Sequence, residues 1–259
     1  MESIQDLRLA VLIDADNVPY RKVKLMFEEI AKYGSPTFKR IYADWTKPTV
    51  SGWKTVLLEN AITPIQQYSY SVGKNSSDSA MIIDAMDILY SGKVDGFCIV
   101  SSDSDFTRLA TRLREAGMKV IGIGEKKTLT PFITACDKFI YIEILGEDDN
   151  DSRSDEESNS VDKTSAKKTS KKKTLRKIDK SLIRLLSTSI SDLGDEDGWT
   201  FLGDLGNFIL KKHPDFDPRN YGYPKMLALI KDINRFEVDE RETGKRNIKH
   251  VFVRVKGNH

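Results

Sequence analysis

Cysteine, long apolar runs and a basic apolar leader are scarce or absent in this sequence of 259 residues. Its two cysteines, Cys98 and Cys136, lie in apolar surroundings, so we expect free structural thiols rather than a disulfide framework or a zinc site. No apolar run approaches the roughly 20 residues that a membrane-spanning helix needs. The segment Met1–Asp6 lacks the basic start and apolar stretch of a signal peptide. These absences together predict a cytoplasmic protein.

An excess of one charge sign is also missing, because 41 Lys and Arg residues stand against 39 Asp and Glu residues. Hydrophobic residues make up 39% of the chain, which suffices for a buried core and excludes global disorder. The charges are unevenly placed: residues 147–163 carry eight acids and two bases, and residues 167–180 carry eight bases and one acid. Such a segment cannot bury enough apolar surface to fold.

We therefore expect a charged, disordered linker over 147–176, between a first domain at 1–146 and a second at 177–259. The basic half of this linker either contacts phosphates or remains a solvated tether, and its composition is compatible with both.

Short runs rich in β-branched residues alternate with helical spacing in the first block. This alternation predicts an α/β fold with a parallel sheet and flanking helices. Three glycines, Gly34, Gly92 and Gly117, fall where helices should stop and are predicted to be left-handed caps. The predicted strands are Leu9–Ile13, Phe38–Ala43, Pro64–Tyr68, Phe97–Val100, Lys119–Ile123 and Phe139–Ile142.

The second block has three amphipathic segments followed by two alternating stretches. Arg235–Val238 and Lys249–Val255 alternate as strands do, and Glu242–Lys245 has the composition of a turn. This order predicts a small winged-helix domain of the α+β class. The helical segments are Ile178–Ile190, Trp199–Leu210 and Lys225–Ile233.

Acidic residues of the first block stand at the ends of predicted strands and the starts of helices. Asp14 and Asp16 close the first strand, Asp103 and Asp105 follow the fourth, and Asp78 opens a helix. Any one of them could simply cap a helix, but an open parallel sheet brings these positions to one crevice. Converging carboxylates repel one another unless hard cations such as Mg²⁺ or Mn²⁺ bind them. The pattern predicts one or two such ions and hydrolysis of a phosphodiester by activated water.

Several further residues are candidates for supporting this site. We expect Asn17 to orient a carboxylate or a water, and Lys74 to contact phosphate. Ser101 and Ser102 either hydrogen-bond around the metal or only form the turn after their strand. Asp84 lies on a different side of its helix from Asp78, so a supporting or structural role is expected for it, as for Asp16.

The segments Val11–Asp14 with Asn17, Lys74–Asp78 with Asp84, and Val100–Phe106 resemble the NYN domain in its LabA-like branch, a fold similar to PIN nucleases. The resemblance covers about residues 8–145. It implies a ribonuclease that depends on Mg²⁺ or Mn²⁺. The chain departs from the family where glycine is frequent, at Ser102 and at Asn75-Ser76-Ser77, without loss of a carboxylate. Mapped onto this chain, the implied metal ligands are Asp14, Asp78 and Asp103, and the implied catalytic set adds Asp105 and Asn17.

Trp199, Leu205-Gly206, Pro214–Asp217, Arg219–Tyr223 and Phe236–Val238 resemble the OST-HTH, or LOTUS, domain. The resemblance implies a winged-helix module that binds RNA, single-stranded or structured, or a protein partner. From the residues alone, the aromatics of this block are expected in its core, and its basic residues either contact phosphates or form an ordinary basic surface. The expected core aromatics are Trp199, Phe208 and Phe216; the candidate RNA contacts are Lys211, Lys212, Arg219, Tyr221 and Lys225.

Other interpretations remain open at this stage. Asp14-Ala15-Asp16 also fits the aspartyl nucleophile pattern of haloacid dehalogenase-like phosphatases, although Pro19 and the lack of a cap insertion disfavour it. A non-catalytic RNA-binding scaffold would retain the same acids as caps.

Two further pairs of residues are expected close to the crevice. Arg108 and Arg112 would follow RNA phosphates along a helix near the site. Trp45 and Trp53 either offer a stacking surface for a base or anchor their loop.

Overall fold

The structure is a computed structural model that describes residues 6–68, 76–146, 174–242 and 249–257, with only the backbone of Ser76 and Ser77. The predicted linker at 147–176 therefore lies almost entirely outside the described residues. The chain forms two compact units, one of Met1–Leu145 with Asn207–Phe216 and the other of Gly146–Gly206 with Asp217–His259. Within the described ranges, every helix is too short or too polar to cross a membrane.

The first unit is built on a six-stranded parallel sheet, which confirms the predicted α/β class. The spatial order is β3-β2-β1-β4-β5-β6, so the chain proceeds outward from β1 in one direction and returns to start again at β4. β1 and β4 are buried along nearly their whole length, as expected for central parallel strands with both faces covered. The strands are β1 Arg8–Asp14, β2 Ser35–Ala43, β3 Thr63–Gln66, β4 Gly96–Val100, β5 Lys119–Gly124 and β6 Lys138–Tyr141.

Helices connect these strands. Cys98 and Cys136 are buried free thiols in this unit, as predicted, and burial raises the pKa of both. They are therefore unreactive packing residues. The helices are α1 Val23–Ile30, α2 Ser51–Lys54, α3 Ser76–Ser91, α4 Thr107–Glu115 and α5 Thr130–Ala135, and a short 3-10 turn at Ser104–Phe106 precedes α4.

Two of the three predicted glycine caps are left-handed. Gly92 and Gly117 have φ of +66° and +80° and end α3 and α4. The prediction for Gly34 is wrong, because its φ is not positive. A Cβ atom at Gly34 would lie 2.3 Å from the carbonyl oxygen of Leu7, so this glycine serves a close approach of two backbones.

The C-terminal part of the chain contains helices and a small antiparallel sheet of order β7-β9-β8, which fits the predicted α+β class, and residues 207–212 of its helix α7 belong to the first unit. Asp179 caps the first helix by accepting a hydrogen bond from the Leu182 amide at 2.8 Å. The predicted turn at Glu242–Lys245 lies mostly outside the described residues. The elements are α6 Lys180–Leu193, β7 Thr200–Phe201, α7 Leu202–Lys212, α8 Met226–Asp232, β8 Phe236–Glu242 and β9 Lys249–Val255.

The predicted aromatic core of the second block is only partly correct. Phe216 is buried. Phe208 is half-buried, with the Lys212 ammonium 4.1 Å from its ring centre. Trp199 is also half-buried rather than in the core, and the guanidinium groups of Arg241 and Arg254 lie over its ring.

Asp84 connects α3 to the sheet. Its carboxylate accepts hydrogen bonds from the Arg40 guanidinium and from the Tyr42 hydroxyl, both on β2. Burial is the largest cause that raises the pKa of Tyr42, so its hydroxyl stays a neutral donor. Because α3 also carries Asp78 in its first turn, this contact helps to fix where Asp78 stands above the sheet.

We expect Asp84→Ala to lower the free energy of unfolding by about 2–4 kcal/mol, because it leaves a buried hydroxyl and a partly buried guanidinium without their acceptor. Urea unfolding followed by circular dichroism measures this. Asp84→Asn, which can still accept from Tyr42, should lose less, and Asp87→Ala, on the exposed side of the same helix, should lose almost nothing. Equal stability of the Asp84→Ala and Asp87→Ala proteins would contradict a structural role for Asp84.

Candidate metal centre

The acidic residues predicted from the sequence lie around the carboxyl ends of β1 and β4. These two strands are neighbours, and the strand order reverses between them. Open α/β sheets bind ligands in the crevice beyond such a reversal, because the two connections leave it in opposite directions. Asp14 is the last residue of β1, and Asp103 follows β4 by three positions.

Asp14 is only 2% exposed and is held by three hydrogen bonds. It accepts from Asn17 Nδ2 at 2.5 Å, from Ser101 Oγ at 2.9 Å and from the Asp16 amide at 3.2 Å. Burial raises the pKa of Asp14, and the hydrogen bonds from Asn17 and Ser101 oppose that rise. Asn17 therefore orients a carboxylate, as its position in the sequence suggested.

Ser101 connects the ends of the two strands. Its hydroxyl donates to Asp14 and accepts from the Asp103 amide at 3.0 Å. Asp103 in turn accepts from the Asp105 amide at 2.9 Å and so begins the 3-10 turn that leads into α4. Asp103 therefore caps this turn and also lies in the crevice. Phe106, fully buried, anchors this turn in the core.

Ser102 has a different role from Ser101. Its hydroxyl accepts from the Glu125 amide at 2.8 Å and ties the loop after β4 to the loop after β5. Ser102 thus supports the shape of the loop that carries Asp103.

Three carboxylates meet closely enough to share a metal ion. One oxygen each of Asp78, Asp103 and Asp105 lies within 4.8 Å of the other two. Asp78 is 8% exposed, Asp103 is half-buried and Asp105 is exposed, so the group spans the wall and the mouth of the crevice. We call these three residues the acidic cluster.

Asp78 experiences the strongest electrostatic penalty in this group. Burial, followed by the charges of Asp14, Asp103, Asp105 and Asp16, raises its pKa to about 6. Asp14 is therefore close enough to act on the acidic cluster through its charge, although it is not one of the three residues whose oxygens meet. The predicted ligand set of Asp14, Asp78 and Asp103 differs from the acidic cluster at one position, where Asp105 replaces Asp14.

The acidic cluster fits a hard divalent cation. Its donors are carboxylate oxygens only. Among the described residues, these three are the acidic, His or Cys side chains that come close enough together to hold a metal ion. Mg²⁺ and Mn²⁺ prefer such oxygen ligands, and a positive ion would offset both the burial and the repulsion that raise the pKa of Asp78.

The two tryptophans near the crevice anchor loops. Trp53 is 2% exposed and donates from Nε1 to the Ala15 carbonyl at 3.3 Å. Trp45 donates from Nε1 to the Ile65 carbonyl at 3.0 Å. The sequence analysis missed Asp44, a buried carboxylate at the end of β2 that accepts from the Thr46 hydroxyl at 2.6 Å and holds this turn.

Basic residues flank the acidic cluster on α4, which starts directly after it. Arg108 is exposed, and Arg112 donates from Nη2 to the Tyr90 hydroxyl at 3.3 Å. Lys74 lies outside the described residues.

The predicted RNA contacts of the second block differ in their exposure and in their ion pairs. Lys211, Lys212 and Lys225 are exposed, and Tyr221 is half-buried. Arg219 is engaged, because its guanidinium donates to both carboxylate oxygens of Asp217 at 3.0 and 2.8 Å. Arg219 therefore has fewer free donors for phosphate than its type alone suggests.

Two solved structures resemble the chain. A protein of unknown function from Vibrio parahaemolyticus is 23% identical, with a TM-score of 0.45, over 55% of this chain and 96% of the other. An uncharacterised protein from Nitrosomonas europaea is 26% identical, with a TM-score of 0.31, over 39% of this chain and 95% of the other. No curated protein matches the chain significantly.

Family profiles match both parts of the sequence. The OST-HTH/LOTUS domain profile matches residues 173–248, and the NYN domain profile matches residues 8–143, which is more than half of the chain. The finer assignment to the LabA-like branch stays a prediction. The matched residues, the parallel sheet and the acidic cluster at its strand reversal agree: the chain belongs to the NYN domain family and carries a C-terminal OST-HTH/LOTUS domain.

Proposed function

We propose that the protein is a metal-dependent ribonuclease whose acidic cluster holds Mg²⁺ or Mn²⁺ and whose OST-HTH/LOTUS domain binds RNA. NYN domains are nucleases, and OST-HTH is an RNA-binding module. The observation that carries the proposal is the meeting of Asp78, Asp103 and Asp105 within 4.8 Å at the strand reversal. Burial and the neighbouring carboxylates make Asp78 costly to ionise, and such a perturbed pKa in a crevice favours a functional site over a helix cap.

A cation bound by the acidic cluster would lower the pKa of a coordinated water and neutralise charge on the phosphodiester. Asp14 adds negative charge behind the cluster and remains our predicted further ligand. Asn17 and Ser101 keep the Asp14 carboxylate in one orientation, since both donate to its Oδ2. Ser101 also couples Asp14 to the loop of Asp103, so the two strand ends keep a fixed separation.

The RNA strand would continue from the reacting phosphate along α4. Arg108 is exposed one turn after the acidic cluster, and Arg112 follows one turn later beside Tyr90. Guanidinium groups at this spacing can contact successive phosphates, and a tyrosine ring beside them offers a stacking surface.

Asp103→Asn should reduce the cleavage of a fluorescent single-stranded RNA by at least about 100-fold in Mg²⁺ or Mn²⁺, because it removes one charged ligand and keeps the shape of the side chain. Gel electrophoresis of the labelled products measures the rate, with EDTA as the metal-free reference. The matched control is Asp87→Asn, an exposed position on the helix of Asp78, which should cleave as the unaltered protein does.

Cleavage by the Asp103→Asn protein at the unaltered rate would reject the acidic cluster as the site. Hydrolysis of p-nitrophenyl phosphate in place of RNA would instead support the phosphatase interpretation. RNA binding without turnover of either substrate would support a scaffold.

Asp78→Asn should stabilise the metal-free protein at pH 7.5. The pKa of Asp78 is raised from 3.8 to about 6, so its folded-state charge costs stability increasingly as the pH rises from about 4 to 6, and fully above that range. Thermal unfolding in EDTA should therefore show a Tm increase of roughly 2–6 °C at pH 7.5 and almost none at pH 4.

The same variant should lose most of the Tm increase that Mn²⁺ gives the unaltered protein. In the unaltered protein that increase should weaken as the pH falls below about 6, where protons compete with the metal for Asp78. An undiminished Mn²⁺ effect in the Asp78→Asn protein would contradict Asp78 as a ligand.

Arg108→Glu should weaken RNA binding most at low salt, since a phosphate contact depends on ionic strength. Fluorescence anisotropy in EDTA measures the RNA affinity. The salt concentration is varied between about 50 and 200 mM, a range over which phosphate contacts depend strongly on salt. Glu115→Arg, at the far end of the same helix, is the reverse-charge control. A loss of affinity that is the same at every salt concentration would argue against a phosphate contact.

A further inference from the structure

The outer face of the small sheet carries an unusual set of side chains. Helices α6 and α8 pack against this sheet, and Thr200, Phe236 and Val253 are its buried residues. Because neighbouring residues of a strand point to opposite faces, the alternate positions point away from those helices. The register places Phe201 opposite Phe252, and Glu237 opposite Arg254. We call the following residues the aromatic face: Trp199, Phe201, Arg241, His250, Phe252 and Arg254.

Three aromatic rings of this face contact one another. The Phe201 ring centre lies 5.2 Å from that of His250 and 5.8 Å from that of Phe252. Phe201 and Phe252 are half-buried and His250 is exposed, so the layer is open to solvent within this unit. Apolar rings left at a surface, rather than in the core, favour an interaction site.

Two arginine guanidinium groups lie over these rings. The guanidinium carbon of Arg254 is 4.6 Å from the Trp199 ring centre, and that of Arg241 is 4.1 Å from Phe252 and 5.5 Å from Trp199. Such cation–π contacts hold both guanidinium groups at the surface of the aromatic face.

Acidic neighbours hold each guanidinium by one edge only. Arg254 Nε pairs with Glu237 at 2.6 Å, and Arg241 Nε pairs with Asp239 at 2.8 Å. Within the described part of the chain, only the Nε atom of each guanidinium donates a hydrogen bond. The Nη donors remain available to a phosphate, while the acid holds the Nε edge of each group.

We infer that the aromatic face binds a segment of unpaired RNA, with bases stacked on Phe201 and against the arginine guanidinium groups, and with phosphates on the Arg241 and Arg254 Nη groups. This inference rests on the proposed RNA binding of the OST-HTH/LOTUS domain and gives it a location. Flat rings together with oriented guanidinium donors match both parts of a nucleotide. A duplex fits less well, because its bases are stacked inside and cannot reach the rings.

Fluorescence anisotropy of the full chain with a labelled 12-nucleotide single strand of mixed sequence tests this inference. EDTA is present throughout, so that cleavage does not occur. Arg241→Ala/Arg254→Ala should lower the affinity about tenfold or more. It should also reduce the slope of log affinity against log salt by about 1.4, since each phosphate contact on a single strand contributes about 0.7.

Two further variants separate stacking from charge. Arg241→Lys/Arg254→Lys keeps both charges and should retain most of the salt slope, yet lose affinity about three- to tenfold because lysine offers no plane. The matched control is Lys180→Ala/Arg184→Ala, which removes the same charge from exposed positions on α6 and should change affinity less than twofold. Circular dichroism and Tm must show that all variants are folded.

Photocrosslinking with 4-thiouridine locates the contact directly. Crosslinked peptides should contain Phe201 or Phe252. Crosslinks confined to other peptides, no binding by the unaltered protein, an equal loss in the α6 control, or an equal loss for a duplex of the same length would each overturn the inference.

Failure of this inference and failure of the proposed nuclease activity can be told apart. The binding experiment runs in EDTA and does not depend on the acidic cluster. If cleavage sensitive to Asp103→Asn persists while the arginine variants bind normally, only the location of RNA on the aromatic face is rejected. If those variants lose binding but no cleavage exists, the face binds RNA in a protein that is not a nuclease.

Discussion

Mutual repulsion of carboxylates is the interaction on which the candidate site depends. Asp78, Asp103 and Asp105 stand within 4.8 Å of one another while Asp14 adds a buried charge close by. A fold does not hold such groups together for its own stability, since each ionised carboxylate raises the cost of the next. The arrangement becomes favourable when a cation binds, so the sheet stores unfavourable charge at the place where a metal would act.

The rest of the first unit holds this unfavourable group in place. The parallel order of β1 and β4 brings their carboxyl ends side by side, and Ser101 fixes one strand end to the other. Asp84 joins α3 to β2 through its hydrogen bonds with Arg40 and Tyr42, so the helix that carries Asp78 is fixed against the sheet. A site built of repelling charges requires such support from neutral hydrogen bonds and from ion pairs outside it.

In the second unit the sheet uses acidic residues in the opposite way. Glu237 and Asp239 each pair with the Nε edge of one arginine guanidinium. The pairs are exposed or half-exposed, so they add little stability, and their main effect is orientation. Trp199 and Phe252 gain cationic partners that keep their rings at the surface. Side chains that are already held in place lose less conformational entropy when a ligand binds to them.

The sequence determined much of this protein by itself. Apolar runs and turn residues located all six strands of the first unit to within a few residues. The positions of the aspartates after the first and fourth strands also predicted an acidic crevice, because strand ends in a parallel sheet meet at one edge. Short local patterns carry this information, since burial on both faces and the end of a strand each leave a signal within a few residues.

Only the tertiary structure decided which groups face one another. It brought Asp105 into the acidic cluster, joined Asp84 to Arg40 and Tyr42, and placed Leu7 against Gly34, where the sequence had suggested a cap. It also moved Trp199 from the expected core to a surface shared with Arg241 and Arg254. These partners are distant in the sequence or depend on side-chain direction, so no local pattern records them. They follow from how the strands pack and in what register, which is set by the whole fold.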